Sequence, residues 1–366
     1  MKHVIIAVQF FAFQPMAQNS SAVLVEVRRG SVIESIHRGH LAIVDGDGEL
    51  VCALGNPETV TFMRSAAKPF QAIPFVMSGA AERFGLTMSE IAITCGSHSG
   101  EPLHTETAAK ILAKAGLSEK DLHCGAHDPF NQELARKMIA EHLSPTQLHN
   151  NCSGKHAGML AFAKHIGANI ETYELPENPI QAEILKTIES FSDLNCEQIS
   201  VGVDGCAVPN FAMPLLTMAQ MYAKLVFPPK DFDAELREAC RRIVSAMMDY
   251  PEMIGGSLTE RLDTEIMRAA SGLIISKIGA EGVYTAGVLP SPRYKRGLGI
   301  ALKIEDGEDR RARPVATLEI LKQLEIINPE KSETLRHFAH LSIKNWRGEQ
   351  VGEVVPNFTL SISPPN

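Results

Sequence analysis

No C-x-x-C pair occurs among the seven cysteines, which lie far apart and are odd in number. A disulfide framework is therefore not expected, and reduced thiols point to a reducing compartment. Gly-rich phosphate loops of the G-x-G-x-x-G or G-x-x-x-x-G-K type are missing, as is H-E-x-x-H, so nucleotide hydrolysis and zincin chemistry drop out. No block of like charge stands out. The 35 Lys+Arg against 43 Asp+Glu give a formal net charge of -8, which makes a phosphate backbone or an anionic membrane a poor general partner. There is no Pro/Ser linker, low-complexity tract or internal repeat, which argues against separate beads on a string. The one run with the look of a targeting segment, Val4 to Phe13 behind Lys2, is too short to cross a bilayer and lacks a small-x-small cleavage site. Residues 1–15 are accordingly expected to be an N-terminal extension, with Met16 as an alternative start. Cytoplasmic residence follows, with export through residues 1–15 as the alternative.

What remains is an ordinary globular composition, 45% hydrophobic and 21% charged, over 366 residues, enough for two average domains or one large one. From Ala22 to Gly55, short β-rich runs (AVLVEVRR, HLAIVD, ELVCALG) alternate with polar and Gly residues, and Asp45 to Gly48 reads as a hairpin turn. From about Leu103 to Ala270 the apolar spacing turns helical, with stops at Gly116, before Pro145 and at Gly167. FAMPLLTMAQMYAKL is included in that helical run. Strand-like segments return from Gly272 to Glu305, followed by a helix and an extended stretch after Lys344. The expected fold class is α+β: one antiparallel sheet built from both chain ends, with the helical middle packed beside it. Residues 16–366 are expected to form a single catalytic unit, with sheet regions 22–60 and 271–366 and a helix-rich region 61–270.

Chemistry concentrates in a few places. Ser65 and Lys68 form the only S-x-x-K, at the start of a predicted helix KPFQAIPFVM. Positions i and i+3 share a helix face, so the Lys68 amine can reach the Ser65 hydroxyl and take its proton if burial favours the neutral amine. An N-capping serine beside a solvated lysine explains the same spacing. Cys95 to Glu101 (CGSHSGE) is a loop of small residues after the strand-like IAITC, able to approach a substrate closely or simply to turn. Lys277, in SKIG, sits on a late strand where a solvent-facing edge lysine is the bland alternative. S-x-x-K, a serine loop and K-x-G in that order also form the signature of serine penicillin-recognising enzymes. Asn150 to His156 (NNCSGKH) and Val203 to Cys206 (VDGC) place two cysteines on loops near Lys155, His156 and Asp204. Such a set can bind a borderline cation such as Zn²⁺, or be two buried free thiols.

Taken in order, RSAAKP (Arg64 to Pro69), CGSHSGE, NNCSGKHAGML (Asn150 to Leu160), VDGCAVP (Val203 to Pro209), SKIGAEGVY (Ser276 to Tyr284) and ALKIEDG (Ala301 to Gly307) resemble the rhizobial-type (class 3) L-asparaginase family, the asparaginase II group. The likeness spans Val23 to Ile320 and implies a serine β-lactamase-like fold. It further implies Ser65 as nucleophile with Lys68 as its base, and Ser97 with Lys277 as a second Ser-Lys pair. Cys152, Lys155 and Cys206 correspond to the ligands of one zinc per subunit, while Arg64, His156 and Asp204 become substrate-pocket groups. The substrate would be L-asparagine, cleaved by double displacement through a β-aspartyl ester, and the assembly a homodimer. The residues flanking the serines of CGSHSGE depart from the family's pattern. A lysine ligand is unusual, because the amine must be neutral to donate its lone pair. The rival readings are a glutaminase or β-lactam-recognising serine acyl-enzyme on the same scaffold, and a non-catalytic zinc or amino-acid binding protein. One methylene separates glutamine from asparagine, worth about 1–3 kcal/mol in a pocket, so the motifs leave that selectivity open.

Overall fold

Alternating apolar residues at the two ends of the chain meet in one sheet. The computed structural model describes residues 21–258 and 261–362, and the expected extension over residues 1–15 lies outside the described residues. Strands β1 (Ala22–Arg29), β2 (Val32–Asp45) and β3 (Leu50–Leu54) come first. A small antiparallel sheet, in the order β4-β6-β5, then forms from β4 (Val60–Phe62), β5 (Ser200–Val203) and β6 (Pro209–Pro214). From the C-terminal part come β7 (Ile274–Ile278), β8 (Val283–Val288), β9 (Leu298–Ile304), β10 (Leu341–Lys344) and β11 (Gln350–Pro356). They join the first strands in the order β10-β11-β1-β2-β9-β8-β7, with β3 also on β2. One edge of β2 gives its first half to β1 and its second half to β3, while the other edge pairs Gly39 to Asp45 with β9.

Period-two alternation divides the core. Leu41 and Ile43 belong to one buried cluster, with the helix Ala312–Gln323, whereas Ala42 and Val44 belong to the other, with the helical middle. The helix Leu215–Val226 lies so close on that second side that a Cβ at Gly299 would run into the Ala219 carbonyl. The helix Lys68–Met77 forms over the predicted span, with a proline in its first turn, where no hydrogen bond is lost.

Three local expectations need correction. The IAITC run is not a strand: Met88–Thr94 is a helix, nucleated by a capping box in which Thr87 and Glu90 satisfy each other's backbone amides. That local start signal outweighs the β-branched Ile and Thr. FAMP is not helical but ends β6, because Pro214 disfavours helix in the residue before it, and the helix begins at Leu215. The C-terminal extended structure starts at Leu341, ahead of Lys344. The region 61–270 thus contains most of a second sheet, which carries Arg64 and Asp204 at its ends. Among the described residues no helix is long and apolar enough to cross a membrane.

Candidate active site

Ser65 lies in a short 3-10 turn (Arg64–Ala67) that runs directly into the helix Lys68–Met77. The preceding Arg64 adopts φ +53°, a conformation that is strained for a side-chain-bearing residue. Its neighbours hold it there. The Arg64 amide donates to Asn210 Oδ1 at 3.0 Å, and its Nε donates to Asp204 Oδ1 at 2.9 Å. The half-buried Ser65 hydroxyl makes no hydrogen bond to another described residue.

Lys68 is fully buried and points elsewhere than the i, i+3 spacing allowed. Its amine donates to Ser97 Oγ at 2.9 Å, to the Gly96 carbonyl and to the Asn151 carbonyl at 3.4 Å. Lys277, 180 residues beyond Ser97, donates to the same hydroxyl at 3.0 Å and to the Ile278 carbonyl at 3.0 Å. Although β7 is an edge strand, Lys277 is fully buried, so the solvent-facing alternative does not hold. Burial pushes its amine down to about 7, against the opposing pull of Asp263. Two lysines therefore flank one serine in a dry setting, and Lys277 changes charge close to neutral pH.

The CGSHSGE loop is held by contacts that sequence reasoning did not foresee. The Ser97 amide donates to the Ile254 carbonyl at 2.8 Å, and Ser99 Oγ donates to the Gly255 carbonyl at 3.0 Å. Glu101 accepts from the Ser257 hydroxyl and from the Ser257 and Leu258 amides. Burial opposes its charge, but these donors outweigh burial and hold the carboxyl below its ordinary range. His98 is a brace rather than a reacting group: it bonds Ser153 Oγ at 3.0 Å, and burial, with His104 second, holds it well below its usual value. Arg261 donates to the Ser97 carbonyl at 3.1 Å and to Ser99 Oγ at 3.3 Å. Arg261, Asp263 and Asn210 carry no local motif; only a first-turn carboxylate, common at helix starts, marks Asp263.

The second cluster forms where the start of the helix Ser153–Ile166 meets the turn after β5. Lys155 Nζ donates to Cys206 Sγ at 3.0 Å, and Cys152 Sγ donates to Asn151 Oδ1 at 3.5 Å. The neighbouring Cys152 thiol and, against the opposing effect of burial, Lys155 and His156 hold Cys206 well below the ordinary thiol range. Cys206, with burial, pushes Cys152 up. Burial opposes the charge on Lys155, yet Cys206 and Cys152 raise it above the ordinary lysine range. His156 accepts or donates at 2.7 Å to the Tyr173 hydroxyl through Nδ1, while its buried Nε2 has no hydrogen-bond partner. Among the described residues no three His, Cys, Asp or Glu side chains converge as a metal site, so a cation here needs Lys155 as a donor. Two sulfurs and an amine drawn together, with an unsatisfied imidazole nitrogen beside them, fit a borderline cation.

No curated protein matches this chain. Among solved structures it is similar to a glutaminase from Bacillus subtilis at 12% identity, over 79% of this chain and 88% of that one, with a TM-score of 0.39. It is similar also to a β-lactamase from Mycobacterium bovis at 11% identity, over 78% of this chain and 94% of that one, with a TM-score of 0.42. Residues 25–356 match the L-asparaginase II family, to which this chain therefore belongs, as an amidohydrolase.

Proposed function

We propose that the protein hydrolyses the side-chain carboxamide of L-asparagine to L-aspartate and ammonia. The observation that supports this most is the meeting of two buried lysine amines, Lys68 and Lys277, at the single hydroxyl of Ser97, Lys68 coming three residues after Ser65. In this reading Ser65 Oγ attacks the carboxamide carbon and gives its proton to the lysine relay. Lys277, held near 7 by burial, supplies an amine that is neutral in a useful fraction at neutral pH. The C–N bond breaks as the nitrogen takes a proton by way of Ser97, and ammonia leaves. Water then attacks the β-aspartyl ester, its proton goes to the same relay, and aspartate departs with Ser65 regenerated. The backbone amide of Ser65 is a candidate donor to the developing oxyanion. Arg64, Asp204 and His156 are assigned to the substrate's charged ends.

Cys152, Lys155 and Cys206 are assigned to one zinc ion. When bound, zinc would orient the substrate's polar groups near the serine; the nucleophile is supplied by the chain itself. The assembly is proposed to be a homodimer and its location the cytoplasm, readable by light scattering and by fractionation of the native source. The deciding experiment measures ammonia release from L-asparagine and L-glutamine by purified protein, with Ser65→Ala as control. Release from asparagine, lost in Ser65→Ala, supports the assignment. Faster turnover of glutamine would move the reading to a glutaminase, and stoichiometric binding without turnover would overturn it.

A further inference from the structure

Asp263 is fully buried in the first turn of the helix Leu262–Ala270, where peptide dipoles favour a carboxylate. Its Oδ1 accepts from the Thr264 amide at 3.2 Å, but its Oδ2 has no hydrogen-bond partner. A buried carboxylate oxygen without a donor is costly, so its surroundings must compensate for it. The nearest cation is Lys277, whose Nζ lies 3.6 Å from Oδ2, with both side chains shielded from solvent; the buried Arg313 also acts on Asp263, from further off, its guanidinium being bonded to the Gly279 carbonyl and Asp309. A charged lysine has three donors. Those of Lys277 include one on Ser97 Oγ and one on the Ile278 carbonyl, which leaves a third for Asp263.

We propose that Asp263 is the positioning residue of Lys277: its carboxylate anchors the amine on Ser97 and stabilises the charge that Lys277 carries while a proton passes through the relay. The proposal rests on the amide-hydrolysis reading for its catalytic meaning, but the pairing itself can be tested without turnover. The groups facing Lys277 leave Asp263 as its main electrostatic support. Lys68 from the helix Lys68–Met77 and Arg261 ahead of the helix Leu262–Ala270 disfavour a further positive charge, and burial does so most strongly. Asp263 favours it; Cys152, at the start of the helix Ser153–Ile166, would do so only as a thiolate, and Cys206 and burial push that thiol up, so it keeps its proton at neutral pH. Cys95 on the serine loop is itself buried, its thiol pushed up to about 12 by burial, and so adds no charge at neutral pH.

Asp263→Asn is isosteric and keeps the acceptor for Thr264, while removing the charge. Lysine labelled with carbon-13 at Cε reports the titration directly, the Lys277 signal being identified by its loss in Lys277→Arg. In native protein its midpoint should lie near 7, and in Asp263→Asn it should fall by about one to three pH units, the usual effect of an opposite charge at this range. The limb of the kcat/KM profile that titrates near neutrality should move in the same direction, and Asp263→Glu should return it toward the native position even where kcat stays low. Asp263→Ser serves if the Asn variant does not fold. An unmoved midpoint, or an even loss of rate at every pH with both limbs in place, would overturn the proposal. Failure of native protein to release ammonia would count against the hydrolase reading, whereas the Lys277 midpoint would still decide the pairing.

Discussion

Ser97 receives two lysine amines, while Ser65, the expected nucleophile, receives none. The division suits the roles proposed for them, because a proton shuttle needs fixed partners and a nucleophile needs an open face toward the substrate. Ser97→Ala should lower kcat about 10²- to 10⁴-fold with a small change in KM, since a relay acts in the transition state. Combining it with Lys277→Met should cost little more than the worse single change, as groups acting in one unit are strongly non-additive. Steady-state kinetics of the two singles and the double checks this, and full additivity would mean that Ser97 and Lys277 do not share a relay. Asn210 offers a second test. Its Oδ1 satisfies the amide of the strained Arg64, so Asn210→Ala should destabilise the fold by about 1–3 kcal/mol and lower kcat through Ser65. Denaturant unfolding and kinetics on the same sample read both effects; a variant as stable and as active as native would show that Arg64 keeps its conformation unaided.

Two helices bind the halves of the site together. Gly154 and Gly158 lie one turn apart on the helix Ser153–Ile166, and the Cβ they lack would fall 2.7 Å from the Ile93 carbonyl and 2.7 Å from Thr94 Cγ2. The helix Met88–Thr94 therefore lies almost backbone to backbone against the segment bearing Cys152 and Lys155, just before the chain enters the Ser97 loop. Gly154→Ala must push a backbone carbonyl aside, and should cost about 1–3 kcal/mol of stability and loosen zinc. Thermal unfolding with metal analysis tests it, and unchanged values in both would show that the contact is slack. Sequence made some of these elements legible and not others. KPFQAIPFVM announced its helix by a first-turn proline and steady apolar spacing, and the Asp45 to Gly48 turn closes with the Gly48 amide on the Asp45 carbonyl. In IAITC the β-branched residues point to a strand, and the Thr87–Glu90 box before them decides for a helix. In FAMPLL the apolar spacing runs on across Pro214 and so hides the point where strand gives way to helix.

At the scale of the whole molecule, the fold draws together residues that no local pattern could join. The spacing marked Ser65 and Lys68 as candidates, but not that the Lys68 amine bonds Ser97; the meeting of Ser97 with Lys277 followed only from resemblance, and Asp263 followed from nothing in its own segment. Such contacts belong to the closure of a sheet from two chain ends around a helical middle, which short-range periodicity does not encode. The proposed zinc site depends on the same closure, because Cys152 and Cys206 lie on loops separated by two helices, Ser153–Ile166 and Pro179–Ser192. An unfolded chain has no preformed site, so zinc at 100 times its Kd should stabilise the protein by about 2.7 kcal/mol, and a chelator should lower Tm accordingly. Catalysis should respond differently: KM for asparagine should rise more than kcat falls, since the serine relay stays in place. Binding should also depend steeply on pH. The shifts favour thiolate at Cys206 and the protonated forms of Cys152 and Lys155, so occupancy by all three donors is expected to release two protons. Each released proton gives about tenfold in affinity per pH unit, so two give about a hundredfold while both groups remain protonated. The sign is fixed by mass action: affinity weakens as pH falls. Calorimetric titration with zinc at one pH, in two buffers of different ionisation enthalpy, counts the protons directly. A count near two, with Cys152→Ser and Cys206→Ser abolishing the heat, bears out the three-donor site; release of none, or heat retained in both variants, places any zinc elsewhere and leaves these cysteines as a buried thiol pair.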